Sequence, residues 1–366
     1  MTQPVTYEPG AADGDARTGV MTTPHGTVAT PAFMAVGTRA SIKTLDTEDM
    51  DRLGAQILLA NTYHLMLRPG EDVVAHLGGL HGFMAWEGPI LTDSGGYQVL
   101  SLHPKISEET LVFKSTYDGS RVELTPERSV AVQEALGADI AMVLDVPVNL
   151  PVDYDVAEKA MYQTLRWAER SKAAKTRADR ALFGIVQGGA DPTLRQISAR
   201  ETANIGFPGF GIGGLAVGET AVERAVAIAA TVPELPESGV RYVMGLGDTE
   251  GILDAVALGV DLFDCVLPTR LARHGKALSR DGDFSIRRVE WIFDDRPIES
   301  GCECVTCRRY SRAYLRHLRL TKERTADRLL TIHNLAYTYR LMRDIRSAIE
   351  TGSFEALRGE IVGRRG

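Results

Sequence analysis

The sequence lacks the features that would place it in a membrane, disulfide-rich or disordered class. Its 366 residues contain no apolar run near the roughly 18 residues that a membrane-spanning helix needs. Four cysteines are too few for a disulfide scaffold. There is no low-complexity segment and no repeat beyond an alternation of apolar runs with helical patterns. With 44% hydrophobic and 24% charged residues, the composition is that of an ordinary soluble globular protein.

The first 17 residues also lack the apolar stretch of a signal peptide and the pattern of a transit peptide. They contain Pro, Gly and Asp, so we expect a flexible leader over residues 1–17 of a cytoplasmic protein without a membrane partner. Three of the four cysteines cluster between residues 302 and 307. In a reducing compartment such a cluster indicates metal binding.

A general excess of positive charge is missing too, because the net charge is −7, which argues against a non-specific nucleic-acid binder. The charge is nevertheless uneven. From Cys265 to Arg328 there are fifteen Lys and Arg against nine Asp and Glu, so this segment carries +6 and the remainder −13. Such asymmetry is typical of a phosphate-facing surface, although a solvated helix face would have the same composition.

Eight short apolar runs recur along the chain, and most end at a polar residue or a glycine. They are residues 31–36, 56–61, 89–93, 140–145, 182–187, 209–213, 242–246 and 260–264. Runs of this kind are typical of parallel strands buried on both faces, and helical patterns separate most of them. The alternation predicts an α/β fold, an irregular (β/α)8 TIM barrel, with a doubly wound open sheet as the structural alternative.

Two insertions interrupt the alternation and have the sequence of β-hairpins, at residues 111–124 and 276–286. A compact helical module follows residue 300. We therefore expect four regions: the leader, a barrel catalytic domain at 18–299, a zinc-binding subdomain packed on it at 300–350, and a C-terminal helix or tail at 351–366.

The helical module carries a metal-binding pattern. Cys302, Cys304 and Cys307 are followed by His333 after 25 intervening residues. Three thiolates and one imidazole close a tetrahedral shell around Zn²⁺ and leave no position for water, so one structural zinc ion per chain is expected. Free thiols beside an unrelated histidine are the alternative.

In a parallel barrel the carboxyl ends of the strands meet at one rim, where active sites lie. The residues expected to gather there are Asn61, His64, Asp93, Asp145, Gln187, Gly213, Gly214, Leu215, Met244 and Asp264. Asp93 and Asp264 form a carboxylate pair of the kind that cleaves glycosidic bonds, although a carboxylate such as Asp264 could equally cap a turn. Asp145 and Gln187 can read the edges of a flat heterocycle, which Tyr97 and Met244 could sandwich.

Several motifs resemble those of bacterial tRNA-guanine transglycosylases, from about residue 19 to about residue 352. They include TDSGGYQV at 92–99, GGLAVGE at 213–219, DCVLPTR at 264–270 and the Cys₃His set. The resemblance implies a TIM barrel with a zinc subdomain. It also implies exchange of the wobble guanine of GUN-anticodon tRNAs, those for Asp, Asn, His and Tyr, for 7-aminomethyl-7-deazaguanine in queuosine biosynthesis.

The same resemblance implies a role for each matching residue. Asp264 would be the nucleophile that forms a covalent bond to the ribose, and Asp93 the general acid/base. The base would be bound by Asp93, Tyr97, Asp145, Gln187, Gly213, Gly214, Leu215 and Met244, and tRNA by Gln98, Gly245, Arg270, Arg273 and Lys276. Family members form homodimers through the zinc module, and Tyr310, Tyr314, His317 and Leu318 are the interface candidates.

Three segments depart from the family pattern or bear on the choice of base. Val146 and Pro147 follow Asp145 where the family has Glu-Cys, and Leu271, Ala272 and His274 lie on the expected RNA-facing loop. Val217 matches the bacterial pattern and favours the aminomethyl base over queuine. The alternatives are a transglycosylase that prefers queuine or another deazaguanine, a non-catalytic tRNA-binding paralogue, and a barrel hydrolase unconnected with RNA.

Overall fold

The computed structural model describes residues 3–365, and the chain begins with an antiparallel three-stranded sheet. Its strands are β1 (Thr6–Asp13), β2 (Ala16–Thr23) and β3 (Gly26–Thr30), in the order β1-β2-β3. Residues 6–13 are therefore a paired strand where a flexible leader was expected. Val5 and Tyr7 are buried, and the Tyr7 hydroxyl donates to Asp261 Oδ1 at 2.8 Å. These tertiary contacts order a segment whose composition suggested a loop.

Eight parallel strands form a closed barrel, and each of the eight predicted apolar runs supplies one of them. They are β4 (Ala32–Gly37), β5 (Leu58–Ala60), β6 (Ile90–Thr92), β10 (Ile140–Met142), β11 (Ala181–Val186), β12 (Gly209–Ile212), β13 (Val240–Val243) and β14 (Leu262–Cys265). Closure comes from β14 pairing with β4, in register Leu262 to Ala32. The predicted TIM-barrel class is thus confirmed, and an open doubly wound sheet is excluded.

Helices connect the barrel strands and cover the outside of the barrel. They are α1 (Thr47–Leu53), α2 (Thr62–Leu67), α3 (Glu71–His76), α4 (Gly79–Met84), α5 (Gly96–Leu100), α6 (Pro126–Leu136), α7 (Tyr154–Ala174), α8 (Pro192–Ile205), α9 (Ala221–Thr231), α10 (Thr249–Ala257) and α11 (Leu267–Arg273). Helix α6 shows how a start is encoded locally: the Thr125 hydroxyl accepts the Arg128 N–H at 3.1 Å, and Pro126 occupies the first turn.

The predicted insertions are β-sheets on the rim of the barrel. One is the three-stranded sheet β7 (Lys105–Ile106), β8 (Leu111–Lys114) and β9 (Arg121–Leu124), and the other is the hairpin β15 (Lys276–Ala277) and β16 (Phe284–Ser285). The fully buried Trp167 on α7 fixes the first insertion by donating its indole N–H to the Glu108 carbonyl at 2.7 Å. Both predicted hairpins are confirmed.

The C-terminal region is helical, with α12 (Val305–Arg309), α13 (Arg312–Leu320), α14 (Arg324–Glu350) and α15 (Phe354–Arg365). Helix α14 packs against α11 and strand β15. The buried Asn334 side chain joins these elements: Oδ1 accepts the Leu278 N–H at 2.9 Å, and Nδ2 donates to the carbonyls of Pro268 and Lys276 at 3.0 and 3.1 Å. The helical module and the segment after β14 are therefore held as one unit.

The N-terminal sheet covers the amino end of the barrel. Buried Asp261, just before β14, accepts hydrogen bonds from Arg17 Nε at 2.9 Å and from the Tyr7 hydroxyl. Buried Asp139, just before β10, contacts His25 Nδ1 at 2.6 Å. Strand ends at the opposite, carboxyl end stay open. Among residues 3–365 no helix is both long and apolar enough to cross a membrane.

Candidate active site

The open rim gathers the polar residues that were predicted to meet there. Asp93 directly follows β6, Gln187 follows β11, Gly213 follows β12 and Asp264 lies within β14, while Asp145 comes three residues after β10. Because the carboxyl ends of parallel strands point the same way, each short strand delivers its polar residue to the same mouth. Asp145 and Gln187 are buried, whereas Asp93 and Asp264 are partly exposed.

Asp93 is held by hydrogen bonds on both carboxylate oxygens. Oδ1 accepts the backbone N–H groups of Thr62 at 2.9 Å and Gly95 at 3.1 Å. Oδ2 accepts the side-chain amides of Asn61 and of Gln98, the latter at 3.2 Å. Burial, together with the negative charge of nearby Asp264, raises the pKa of Asp93 to about 7 against the opposing effect of the hydrogen bonds. A carboxyl with such a pKa can both donate and accept a proton near neutral pH.

Asp264 lies close enough to Asp93 for the two charges to interact, and it has its own donors. Its Oδ1 accepts the Tyr242 hydroxyl at 2.5 Å and the Gly245 N–H at 2.8 Å. The pKa of Asp264 is raised overall, because burial outweighs the two hydrogen bonds, which lower it. Burial and the Asp264 charge raise the pKa of Tyr242 well above its usual value, so its hydroxyl stays a donor. These donors favour the ionised form of Asp264, which a nucleophile requires.

A second pair of polar residues lies beside the two carboxylates. Gln187 Nε2 donates to Asp145 Oδ2 at 2.7 Å, and the Ser94 hydroxyl donates to Asp145 Oδ1 at 3.3 Å. Burial raises the pKa of Asp145 to about 6 despite both hydrogen bonds. A buried carboxylate and amide arranged side by side can read the donor and acceptor edge of a planar base.

The segment after β12 approaches this pair so closely that it requires glycine. A Cβ added at Gly213 would lie 2.8 Å from Gln187 Nε2, and one added at Gly214, where φ is +67°, would lie 2.3 Å from Gln187 Oε1. Leu215 follows and is buried. The Glu219 carboxylate accepts the N–H groups of Ala216 at 2.6 Å and Val217 at 3.0 Å, which fixes the loop beyond it.

The two residues expected to sandwich a ring are placed differently. Tyr97, on the short helix α5, is 57% exposed, so its ring is free to contact a ligand. Met244 follows β13 and is partly buried; its Sδ lies 3.1 Å from the point that a Cβ on Gly211 would occupy. Of the two, the aromatic ring is exposed and the thioether is partly buried in the barrel.

The residues expected to meet RNA lie on the segment that follows Asp264. Arg270 and Arg273 are on α11; Arg270 is exposed, whereas Arg273 is half-buried and donates to the Thr269 carbonyl at 3.0 Å. Lys276, at the start of β15, lies 3.8 Å from Asp283. The other two candidates, Gln98 and Gly245, lie elsewhere in the chain and donate hydrogen bonds to Asp93 and Asp264, as described above.

The four predicted metal ligands converge at one buried point. His333 Nδ1 lies 3.8 Å from the sulfurs of Cys302 and Cys304 and 3.3 Å from that of Cys307. Tetrahedral bonds of about 2.3 Å to sulfur and about 2.0 Å to nitrogen separate the donor atoms by roughly 3.6 Å, so the cluster fits a metal ion. His333 Nε2 contacts the Leu278 carbonyl at 2.8 Å, which orients the ring with Nδ1 toward the thiols.

Three site residues escaped the sequence analysis: Tyr242, Arg195 and Glu219. Tyr242 is on β13, two residues before Met244, so the period-2 alternation of the strand could have placed both on the same face. Arg195 shares a helical spacing with the buried residues Ser198, Ala199 and Thr202 of α8, which predicts an arginine on the buried face. For Glu219 we find no sequence signal beyond its position in the GGLAVGE motif.

Comparison with known proteins agrees with this geometry. The model of the family "Queuine tRNA-ribosyltransferase" matches residues 13–366. Similar proteins carry the same description: one from Thioalkalivibrio sulfidiphilus is 51% identical over 97% of this chain and 96% of its own. Another, from Herpetosiphon aurantiacus, is 49% identical over 98% of this chain and 92% of its own. The resemblance inferred from the motifs is confirmed: this chain belongs to the queuine tRNA-ribosyltransferase family of glycosyltransferases.

Proposed function

We propose that this chain exchanges the wobble guanine of GUN-anticodon tRNAs for 7-aminomethyl-7-deazaguanine by double displacement through a covalent intermediate on Asp264. The observation that carries the proposal is the pairing of two interacting carboxylates with different surroundings. Asp264 receives two donors that favour its ionised form, and Asp93 has a pKa of about 7. One carboxylate thus suits a nucleophile and the other an acid/base.

In the first displacement a carboxylate oxygen of Asp264 attacks C1′ of the guanosine ribose. The C1′–N9 bond breaks with its electron pair moving to the base, and the neutral carboxyl of Asp93 supplies a proton to the departing guanine. An ester between Asp264 and the ribose forms, which conserves the glycosidic bond energy, so no ATP is needed. Attack from the opposite face of the sugar makes this step an inversion.

The second displacement reverses the roles. Asp93, now ionised, takes a proton from the incoming base, whose ring nitrogen attacks C1′ and expels the Asp264 carboxylate. Two inversions retain the configuration at C1′ and replace one difficult substitution with two easier ones. A single acid/base with a pKa of about 7 serves both halves, because it is neither fully protonated nor fully ionised at neutral pH.

Base recognition would fall to Asp145, Gln187 and the Gly213–Gly214 backbone, with Tyr97 and Met244 on the two faces of the ring. The Gln187–Asp145 hydrogen bond of 2.7 Å supports this assignment, since it aligns an amide and a carboxylate toward the same mouth. Val217, whose N–H is held by Glu219 at 3.0 Å, favours the small aminomethyl substituent over queuine.

Recognition of tRNA would use Gln98, Gly245, Arg270, Arg273 and Lys276 around the anticodon loop. The exposed Arg270 and the excess of Lys and Arg from residue 265 to residue 328 support contact with phosphates. Single-stranded loops present unstacked bases whose edges a protein can read, whereas the narrow major groove of a paired RNA helix hides them.

The Cys₃His cluster would hold one structural Zn²⁺. When bound, the ion would cross-link the 302–307 segment to α14 and supply no chemistry to the reaction. A homodimer through this module is the expected assembly. The stacked rings of Tyr310 and Tyr314, with centroids 5.4 Å apart and Tyr314 43% exposed, support it. Leu318 is only 7% exposed, which argues against a direct role for it.

Covalent trapping tests the proposal. The wild-type chain, incubated with a GUN anticodon stem-loop, is expected to give a protein–RNA adduct that survives denaturing electrophoresis. Asp264→Asn should abolish the adduct. The control is Asp254→Asn, which should leave the adduct unchanged, because Asp254 is on α10, is 40% exposed and pairs with Arg358. An adduct of wild-type yield in the Asp264→Asn variant would remove the nucleophile assignment, and RNA binding without any adduct would indicate a non-catalytic paralogue.

Metal analysis tests the zinc assignment separately. About one zinc per chain is expected from a tetrahedral Cys₃His site. Replacing Cys307 with serine should lower that content, while replacing Cys265, which lies outside the cluster, should not. Wild-type protein that is folded and free of metal would contradict the assignment.

A further inference from the structure

Arg195 is a buried cation directly behind the proposed base pocket. It lies on α8 and is 0% exposed. Its Nε donates to the Gly189 carbonyl at 2.7 Å and its Nη1 to the Val186 carbonyl at 3.2 Å. Within residues 3–365, no carboxylate forms a direct salt bridge with it, although the Glu219 charge acts on it from a distance, and Nη2 has no hydrogen-bond partner. Burial lowers the pKa of Arg195 to about 10, so the guanidinium remains charged at neutral pH.

Such an arrangement is costly, because a buried charge without a paired counter-ion is penalised by desolvation. The two carbonyls that Arg195 contacts flank Gln187 in the chain, so the guanidinium holds the backbone on both sides of the recognition amide. A neutral hydrogen-bond donor would be enough to hold these two backbone carbonyls. The free Nη2 therefore calls for a further explanation.

That explanation lies in the position of the Gln187 amide. On one side Nε2 donates to Asp145 Oδ2 at 2.7 Å. On the other side Oε1 has no hydrogen-bond partner in the described part of the chain. A Cβ added at Gly214 would meet Oε1 at 2.3 Å and Arg195 Nη2 at 3.6 Å, so the amide oxygen and the guanidinium border the same small space. The amide thus lies between a carboxylate and a cation.

This field favours one orientation of the amide. The amino group has two hydrogens and is attracted to Asp145, while the carbonyl oxygen is attracted to the positive charge of Arg195. A flipped amide would place its oxygen against a carboxylate and its hydrogens against a guanidinium. Both changes are repulsive, and a low local dielectric strengthens them.

We infer that Arg195 is a positioning residue that fixes the polarity of the Gln187 amide and thereby selects a base with an acceptor, such as a 6-oxo group, over one with a 6-amino group. The inference rests on the proposed function. With the amide locked, one Nε2 hydrogen is used by Asp145 and the other is offered to the base. An amino group on the base would face the Gln187 amino group, so two donors would oppose each other without an acceptor. Buried polar sites discriminate strongly against such a mismatch.

The test compares two free bases that differ in the 6-oxo or 6-amino group and in the hydrogen on N1; because Asp145 is the same in every variant, a change in their ratio reports on Gln187 and Arg195. Exchange of labelled guanine out of an anticodon stem-loop is measured with guanine and with 2,6-diaminopurine as the incoming base. The wild type is expected to prefer guanine. Arg195→Met should lower the ratio of the two kcat/KM values by at least about tenfold, with KM for the RNA unchanged. Arg200→Met is the matched control, since Arg200 is on the same helix, is 58% exposed and pairs with Glu234.

The ratio does not depend on how much of a variant folds, so reduced stability does not obscure the result. If Arg195→Met is not obtained in folded form, Arg195→Gln, which is also neutral but keeps a donor for one carbonyl, should lower the ratio as well. Arg195→Lys, which keeps the charge, should restore most of it. An equal loss with both bases in the neutral variants would show a purely structural role and overturn the inference. Absence of exchange by the wild type would remove the proposed function and this inference with it.

Discussion

The Tyr242 hydroxyl donates to Asp264 Oδ1 over 2.5 Å from a side chain that is 1% exposed. Tyr242 and Asp264 lie on neighbouring strands, in a register that pairs Tyr242 with Leu262, so barrel closure itself brings the donor to the carboxylate. A buried donor of fixed direction stabilises the ionised form of Asp264 before substrate arrives.

Removing that donor should slow base exchange. In Tyr242→Phe, we expect kcat/KM to fall by about 10- to 100-fold, since a hydrogen bond to a charged group is worth about 1.5–3 kcal/mol. The pKa of Asp264 should rise, because the Tyr242 hydrogen bond lowers it, so the acidic limb of the pH–rate profile should move to higher pH. Tyr162→Phe, at an exposed position of α7, is the control. An unchanged acidic limb in Tyr242→Phe would contradict this account.

The stability of the protein should depend on pH through Asp93. Its pKa in the folded state, about 7, is above the unfolded value of 3.8, so the native state binds more protons between those values. Stability therefore falls as pH rises through this window and levels off above it. Urea unfolding at about pH 5 and about pH 8 should show the wild type losing on the order of 2 kcal/mol relative to Asp93→Asn.

Asp179 provides the control for that measurement. It is exposed, and the Arg177 guanidinium holds its pKa well below the usual range. A carboxyl with a lowered pKa loses its contribution only in strong acid, so Asp179→Asn should differ from the wild type by the same amount at both pH values. If the unfolding free energies of Asp93→Asn and the wild type also differed by the same amount at both pH values, burial would not raise the pKa of Asp93.

Close approach at Gly214 should make the base pocket intolerant of a methyl group. Gly214→Ala would place its Cβ 2.3 Å from Gln187 Oε1, so the amide must move, and KM for the incoming base should rise by at least about tenfold with KM for tRNA unchanged. Gly119→Ala is a matched control, because Gly119 also has positive φ, +73°, but nothing lies within 4 Å of the added Cβ. Equal effects of the two substitutions would trace the loss to backbone strain alone.

Asn334 should link the helical module to the RNA-facing segment. Its replacement by alanine leaves the backbone groups of Leu278, Pro268 and Lys276 unsatisfied, so the free energy of unfolding should fall by about 2–4 kcal/mol. Affinity for the anticodon stem-loop should fall too, because Pro268 and Lys276 lie on either side of Arg273 in the chain. Asn204→Ala, at an exposed position of α8, is the control for urea unfolding and for RNA titration. If Asn334→Ala bound the RNA with wild-type affinity, the helical module would have no role in RNA recognition through Asn334.

The barrel could be predicted from the sequence, because most of its strands are short apolar runs that end at a polar residue or a glycine. Ile140–Met142 followed by Asp145 is such a run, and the pattern depends only on neighbours in the chain. The same holds for Cys302, Cys304 and Cys307, whose spacing identifies a metal cluster. Local patterns of this kind require no knowledge of the tertiary fold.

Contacts between distant residues could not be read in this way. The bond from Tyr7 to Asp261 spans 254 residues, and it orders a strand in a segment expected to be flexible. For Arg195 the helical spacing of α8 is a local signal for the buried face, but the approach of its guanidinium to Gln187 depends on the tertiary fold. The pKa of Asp93 likewise follows from burial and from Asp264, which is remote in sequence.

The sheet of β1, β2 and β3 has a consequence for the order of events during exchange. Because it covers the amino end of the barrel, whose interior is filled by side chains, the site opens at the carboxyl end, where the RNA would bind. Under the proposed reaction, guanine must leave and the new base must enter through this carboxyl end, one after the other, while the ribose stays attached to Asp264. Release of guanine and binding of the new base, which share this opening, are therefore candidates for the rate-limiting step.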